Sequence, residues 1–152
     1  MQGPRYTLST FAELSATQLY EILRLRSEVF VVEQNCVYQD MDGLDLSSLH
    51  LCEWDGPKLL AYTRLIGPGV DFEDASAIGR IITCPSVRRK GHGRPIILES
   101  IKECEKHWPL VPIKLHAQSY LLKFYGEFGF KPYGEEFLED GLPHFFMELP
   151  LA

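Results

Sequence analysis

The chain of 152 residues contains no apolar run approaching the ~20 residues that a membrane-spanning helix requires, so a membrane partner is not expected. It also lacks internal repeats and low-complexity tracts. Its four cysteines, Cys36, Cys52, Cys84 and Cys104, form no Cys-x-x-Cys pair and have no histidine at ligand spacing. That argues against a zinc site, and no metal is expected; the residues read as reduced cytosolic thiols filling core space. The start, Met1-Gln2-Gly3-Pro4-Arg5, lacks the basic and apolar regions of a secretory leader, and a cytoplasmic location is expected. Positive charge is not in excess either. A net charge of −6 disfavours a nucleic-acid partner and leaves any basic segment as a local island. A hydrophobic content of 45% and a charged content of 24% fit one soluble domain over residues 1–152. Such a chain buries roughly two-thirds of its unfolded surface.

The basic island is Arg88-Arg89-Lys90-Gly91-His92-Gly93, with Arg94 next to it. Upstream, Ala77 to Thr83 reads as an apolar strand ending at Pro85. Downstream, Ile96 to Cys104 reads as a helix with Ile97, Ile101, Cys104 and Trp108 on its buried stripe, stopping at Pro109. A strand, a basic glycine-bearing turn and a helix start describe an anion site. The first N–H groups of a helix lack intrahelical partners, and glycines let backbone approach a phosphate. The loop lacks the Walker spacing, and Ile96 stands where a dinucleotide fingerprint needs a third small residue. The pattern it does satisfy is Arg/Gln-x-x-Gly-x-Gly/Ala, through Arg88, Gly91 and Gly93.

Further on, Lys114 to Gln118 reads as a strand and Ser119 to Phe128 as a short helix closed by Gly129. Tyr125 lies four residues before Gly129-Phe130. Together with the loop, this resembles the GNAT superfamily of N-acetyltransferases. Three segments narrow the resemblance to the ElaA-like subfamily: Arg26 to Cys36, Tyr38 to Gly43, and Asp140-Gly141-Leu142-Pro143-His144. It spans about Leu19 to Met147.

The resemblance implies an α+β GNAT fold, a mixed, mostly antiparallel sheet flanked by helices around the strand–pyrophosphate loop–helix unit. It also implies transfer of acetyl from acetyl-CoA, as donor cosubstrate, to a small-molecule or protein amine. The donor's diphosphate would lie on Arg88, Arg89, Lys90, Gly91, His92, Gly93 and Arg94. Its pantetheine arm would lie along Ile81, Ile82 and Thr83. Gln118 holds the place where many relatives carry an asparagine contacting that arm. Tyr125 would be the general acid at the departing sulfur.

The remaining assignments rest on chemistry. An amine must be neutral to attack a thioester, whereas a Lys-like ammonium has a reference pKa of about 10.4. Glu33, near the end of the first helix, either deprotonates an ammonium or holds it; its other reading is an ion pair with Arg26 or Arg64. His116 ends its strand beside the expected gap and is a second candidate proton carrier. Tyr38, Asp40 and His144 are candidate acceptor contacts. Asp40, Asp42 and Asp45 lack the EF-hand frame and read as loop solvation or ammonium contacts. A non-catalytic acyl-CoA-binding regulatory module is the alternative function. Similarity of the Val29–Glu33 region to acyl-homoserine lactone synthases is a narrower option that the pyrophosphate loop disfavours. The acceptor, and the choice between monomer and homodimer, stay open.

The other elements follow from periodicity. Arg5 to Ser9 reads as a strand, and Ser15-Ala16-Thr17-Gln18 as a capping box opening a helix whose apolar spacing runs to Phe30. Residues 35–49 read as a loop or broken helix. His50 to Trp54 and Lys58 to Ile66 form a hairpin about Asp55-Gly56. Strands at Lys131 to Leu138 and His144 to Leu149 end the chain.

Overall fold

Seven strands form one sheet in a computed structural model that describes residues 4–152, with β3 (Lys58–Ile66) buried almost throughout in its interior. The strands are β1 (Arg5–Thr10), β2 (Leu49–Asp55), β3 (Lys58–Ile66), β4 (Ser76–Thr83), β5 (Ile113–Gln118), β6 (Lys131–Glu139) and β7 (Leu142–Leu149). Their order across the sheet is β1-β2-β3-β4-β5-β7-β6. Every neighbouring pair is antiparallel except β4 and β5. The mixed, mostly antiparallel sheet flanked by helices matches the expected class.

Helix α1 (Ala16–Arg26) starts at the capping box: the Ser15 hydroxyl accepts from Gln18 N–H, and the Gln18 side chain accepts from Ser15 N–H. The periodicity that runs on to Phe30 continues as a π-helical segment, Ser27–Glu33. Helix α2 (Gly93–His107) follows the basic loop, with Pro95 in its first turn, where a missing N–H costs little. Its C-terminal Trp108 packs tightly on Gly67, where a Cβ would sit 2.9 Å from the indole nitrogen. The short helix expected over 119–128 splits into a 3₁₀ turn, Ser119–Leu121, and α3 (Leu122–Gly126). Residues 35–48 are irregular apart from the 3₁₀ turn Leu44–Ser47.

Successive residues Leu51 and Cys52 of β2 belong to different apolar clusters, Leu51 with Ile96 of α2 and Cys52 with Ile22 of α1. Side chains of consecutive strand residues point to opposite faces, so α1 and α2 cover opposite sides of the sheet. The four cysteines are free thiols. Cys52 and Cys104 are buried, as expected of core filler, while Cys36 and Cys84 are half-buried.

Two irregularities in β4 shape the centre. Ala61 and Tyr62 of β3 face Thr83 and Ile82, but Arg64 faces Gly79, so Thr63 stands opposite both Arg80 and Ile81. The bulge carries Arg80 at φ +49°, in the left-handed region. It reverses the alternation: Ile78 packs in the cluster with α2 residues, whereas Ile82 packs with α1 residues. The second irregularity is the partnership with β5. Only Ser76↔Ile113 and Ala77↔Lys114 are paired, after which the two parallel strands diverge.

Candidate active site

The divergence of β4 from β5 opens a cleft of about 1070 Å³ through the middle of the sheet. Its walls take Ile81, Ile82 and Thr83 from β4, and Arg88 and Arg89 from the basic loop. Gln118 and His116 come from β5, Tyr125 from α3 and His144 from β7. Glu33 and Tyr38 complete the far side. The sequence-predicted residues thus converge on one space. Lys90, Gly91, His92, Gly93, Arg94 and Asp40 lie outside its lining.

The basic loop is built to present donors. A 3₁₀ turn, Pro85–Val87, leads into Arg88, and Arg89 and Gly91 adopt left-handed φ values of +65° and +86°. Lys90 N–H is spent on Val87 C=O, and Ile96 N–H on His92 C=O. Among the described residues nothing accepts from the N–H of Arg89, Gly91, His92, Gly93 or Arg94. A Cβ on Gly91 would meet no atom within 4 Å, so open space lies over that position. Five free N–H groups at the positive end of a 15-residue helix suit a multiply charged anion.

The side chains of the loop behave differently from its backbone. His92 Nδ1 is 2.8 Å from the Glu53 carboxylate on β2, which ties the loop to the sheet rather than offering the ring to a phosphate. Arg94 turns to α3, where it pairs with Glu127 and lies over the Phe124 and Phe128 rings at 5.6 and 5.7 Å. Arg88 makes a two-point contact with Glu33, Nη1 to Oε2 at 2.8 Å and Nη2 to Oε1 at 2.6 Å. The ion pair expected of Glu33 therefore exists, but with Arg88 instead of Arg26 or Arg64.

Those two arginines are engaged elsewhere, Arg64 on the cleft wall and Arg26 behind it. Arg26, 0% exposed, donates to Asp40 at 2.7 Å and to Asp45 at 2.6 Å. Arg64 donates to both oxygens of Asp42 at 2.9 Å, and Arg80 Nε lies 2.7 Å from Asp40. Burial opposes ionisation of Asp42, yet Arg64, the Leu44 N–H and Arg80 hold its pKa down at about 2. Asp40 is thus held between two arginines and lies outside the cleft lining. Its outer oxygen accepts from the Tyr38 hydroxyl at 3.1 Å.

Across the gap, His116 is gripped from both sides. Nδ1 lies 2.7 Å from Glu139 and Nε2 3.1 Å from Asp71. Burial disfavours the imidazolium, but the two carboxylates win and raise its pKa to about 9. Carboxylates only accept, so in this geometry both ring nitrogens carry hydrogens and no lone pair faces the cleft. His144 keeps one nitrogen open: Nδ1 donates to the Leu142 carbonyl at 2.7 Å, while Nε2 stands 3.6 Å from Glu139. Tyr125 is 6% exposed, and its hydroxyl has no hydrogen-bond partner among the described residues. Burial, with Tyr120 nearby, pushes its pKa above the ordinary tyrosine value, so it holds its proton. Asp71, Glu139 and Arg80 escaped sequence reading, although a lone arginine inside an apolar strand signals a hidden acidic partner.

The sequence and the fold have counterparts among known proteins. The acetyltransferase (GNAT) domain family matches residues 13–151. Protein ElaA of Escherichia coli (strain K12) is 44% identical over 135 residues, 88% of each chain. The ElaA crystal structure superposes with a TM-score of 0.88 over 95% of this chain and 98% of that one, at 40% identity. An acyl-CoA N-acyltransferase from Pseudomonas aeruginosa superposes with a TM-score of 0.91, covering 96% and 99% of the two chains at 40% identity. With the loop, the split sheet and these likenesses in agreement, the chain belongs to the GNAT acetyltransferase family, within its ElaA-like group.

Proposed function

We propose that the protein transfers an acetyl group from acetyl-CoA to an amine by direct attack on the thioester. The observation that carries this reading is Tyr125, a residue 6% exposed whose hydroxyl has no hydrogen-bond partner among the described residues, in the cleft that the basic loop borders. Acyl transfer is the chemistry of the family; the roles of individual residues are our assignment.

The row of free N–H groups at Arg89 and Gly91 to Arg94 would take the diphosphate, with Arg88, Arg89 and Lys90 adding charge. The edge of β4 that β5 leaves unpaired, from Ile81 to Thr83, would hold the pantetheine arm as an added strand, with Gln118 reaching it from β5. Such anchoring fixes the acyl carbon within attack distance of an amine. Tyr125 would protonate the departing sulfur, for which a hydroxyl that keeps its proton at neutral pH is suited. Tyr38 and Glu33 border the space left for the acceptor.

Titration with acetyl-CoA, with ATP and NAD as controls, tests the donor. Selective binding is expected, and its absence would remove the reading. Tyr125→Phe should lower turnover by about 10²-fold with acetyl-CoA affinity nearly unchanged. Equal losses of rate and affinity would make Tyr125 a packing residue. Tight acetyl-CoA binding without turnover across an amine panel would support the non-catalytic acyl-CoA-binding module instead.

A further inference from the structure

The cleft holds several groups that could in principle accept a proton from an ammonium, and most are already committed. Glu33 spends both oxygens on Arg88, and Asp42 spends both on Arg64. Asp71 and Glu139 bond to the two nitrogens of His116, which is thereby held as a cation. His144 differs. Its ring is 6% exposed, lines the cleft and stacks on Phe137 with centroids 5.9 Å apart. On β7 it stands opposite Gln118, the last residue of β5, at the edge of the gap between β4 and β5.

The tautomer follows from its neighbours. A carbonyl can only accept, so the 2.7 Å contact with Leu142 fixes the hydrogen on Nδ1. The lone pair is then on Nε2. The charged group facing that nitrogen is Glu139 of β6, at 3.6 Å, whose other oxygen is bonded to His116 of β5. At 3.6 Å Glu139 does not hydrogen-bond the neutral ring, but it stabilises the cation formed once Nε2 takes a proton.

We propose that His144 is the general base of the acyl transfer, a proposal that rests on the acetyl-CoA reading above. Nε2 takes one proton from the acceptor ammonium, and the freed amine forms the C–N bond as the C–S bond breaks. Tyr125 gives its proton to the thiolate and recovers one from the new amide nitrogen. The His144 imidazolium returns its proton to water. The ammonium thus loses two protons, one to sulfur and one to solvent, and the charges balance. The acceptor class is a primary amine that is cationic at neutral pH; a weakly basic amine would need no such group.

Two measurements test this on the full chain. Long-range ¹H–¹⁵N correlation should find the neutral form of His144 with its hydrogen on Nδ1, and His116 with hydrogens on both nitrogens. A neutral His144 ring with its hydrogen on Nε2 overturns the proposal. In the second, acetyl-CoA consumption is followed with n-propylamine and with methoxyamine, a weakly basic nucleophile that is neutral at neutral pH. His144→Gln should slow the propylamine reaction by about 10²-fold, with recovery as pH approaches 10, and leave methoxyamine within a few-fold. Equal losses with both nucleophiles would reduce His144 to packing. If the wild type turns over neither probe, the tautomer measurement decides alone. Failure of the wild type to bind acetyl-CoA at all would instead sink the donor assignment.

Discussion

On one wall of the cleft, three arginines and three aspartates pair with one another; beside it, five backbone N–H groups have no partner among the described residues. The bulge of β4 supplies Arg80 to the first region, and the two regions solve opposite problems. Arg26, Arg64 and Arg80 with Asp40, Asp42 and Asp45 form an internally paired unit, with only the Nε atoms of Arg64 and Arg80 left without hydrogen-bond partners, that pins the irregular 35–48 segment to α1, β3 and β4. Buried charges of this kind are costly to strand but add little net stability when intact. The basic loop is open by construction, because its donors are kept from each other by left-handed φ values at Arg89 and Gly91. A preformed, paired wall and an unsatisfied rim are what a site needs if it is to bind charge without rearranging.

Removing Arg26 should break the paired unit with the largest effect. Arg26→Ala leaves Asp40 and Asp45 buried without their main partner and should cost about 3–5 kcal/mol in denaturant unfolding. A loss below about 1 kcal/mol would mean that Arg80 and Arg64 compensate. His116 sharpens the contrast through pH. Its pKa is raised in the folded state from 6.5 to about 9. The clamp by Asp71 and Glu139 therefore stabilises the protein fully below the unfolded value and loses its effect as pH rises through about 9. Relative to His116→Gln, the wild type should gain about 1–2 kcal/mol near pH 6, allowing for partial solvent screening, and the gap should vanish above pH 9. A gap independent of pH would refute the clamp. The smallest effect belongs to the junction of the two regions. Glu33→Gln frees Arg88 for the donor's phosphates and should tighten acetyl-CoA binding about two- to fivefold, the value of one exposed ion pair. Unchanged or weaker binding in calorimetry would show that Arg88 does not reach the donor.

What the sequence reveals and conceals divides along the same line. The basic loop is legible because its chemistry is local: glycine positions, a preceding strand and a following helix all lie within about twenty residues. The capping box at Ser15 and Gln18 is legible for the same reason. The bulge is not. The mixed alternation of Ile78, Arg80, Ile81 and Ile82 makes sense only once Thr63 is seen to face two residues, a register set by the partner strand. The pairing of Asp40, Asp42 and Asp45 with arginines on three separate elements is equally invisible, since those partners lie 14 to 40 residues away in sequence. Their signal was present in weaker form: Arg26, Arg64 and Arg80 sit within apolar patterns, and buried arginines demand counter-charges. His116 shows the limit of residue-type reasoning, because the carboxylates that occupy both its nitrogens come from a loop and a distant hairpin.

The early parting of β4 from β5 has a consequence for what can add to the sheet. An unpaired strand edge normally invites other chains to add to the sheet, and proteins blunt it with charge, proline or a covering element. Here the open edge lies in the interior of the sheet, with β3 on one side and the β5, β7 and β6 block on the other. A second sheet cannot slide into that slot, whereas a narrow, extended molecule can. The geometry acts as a size filter: it keeps a hydrogen-bonding edge permanently exposed to a slender guest while denying it to another protein.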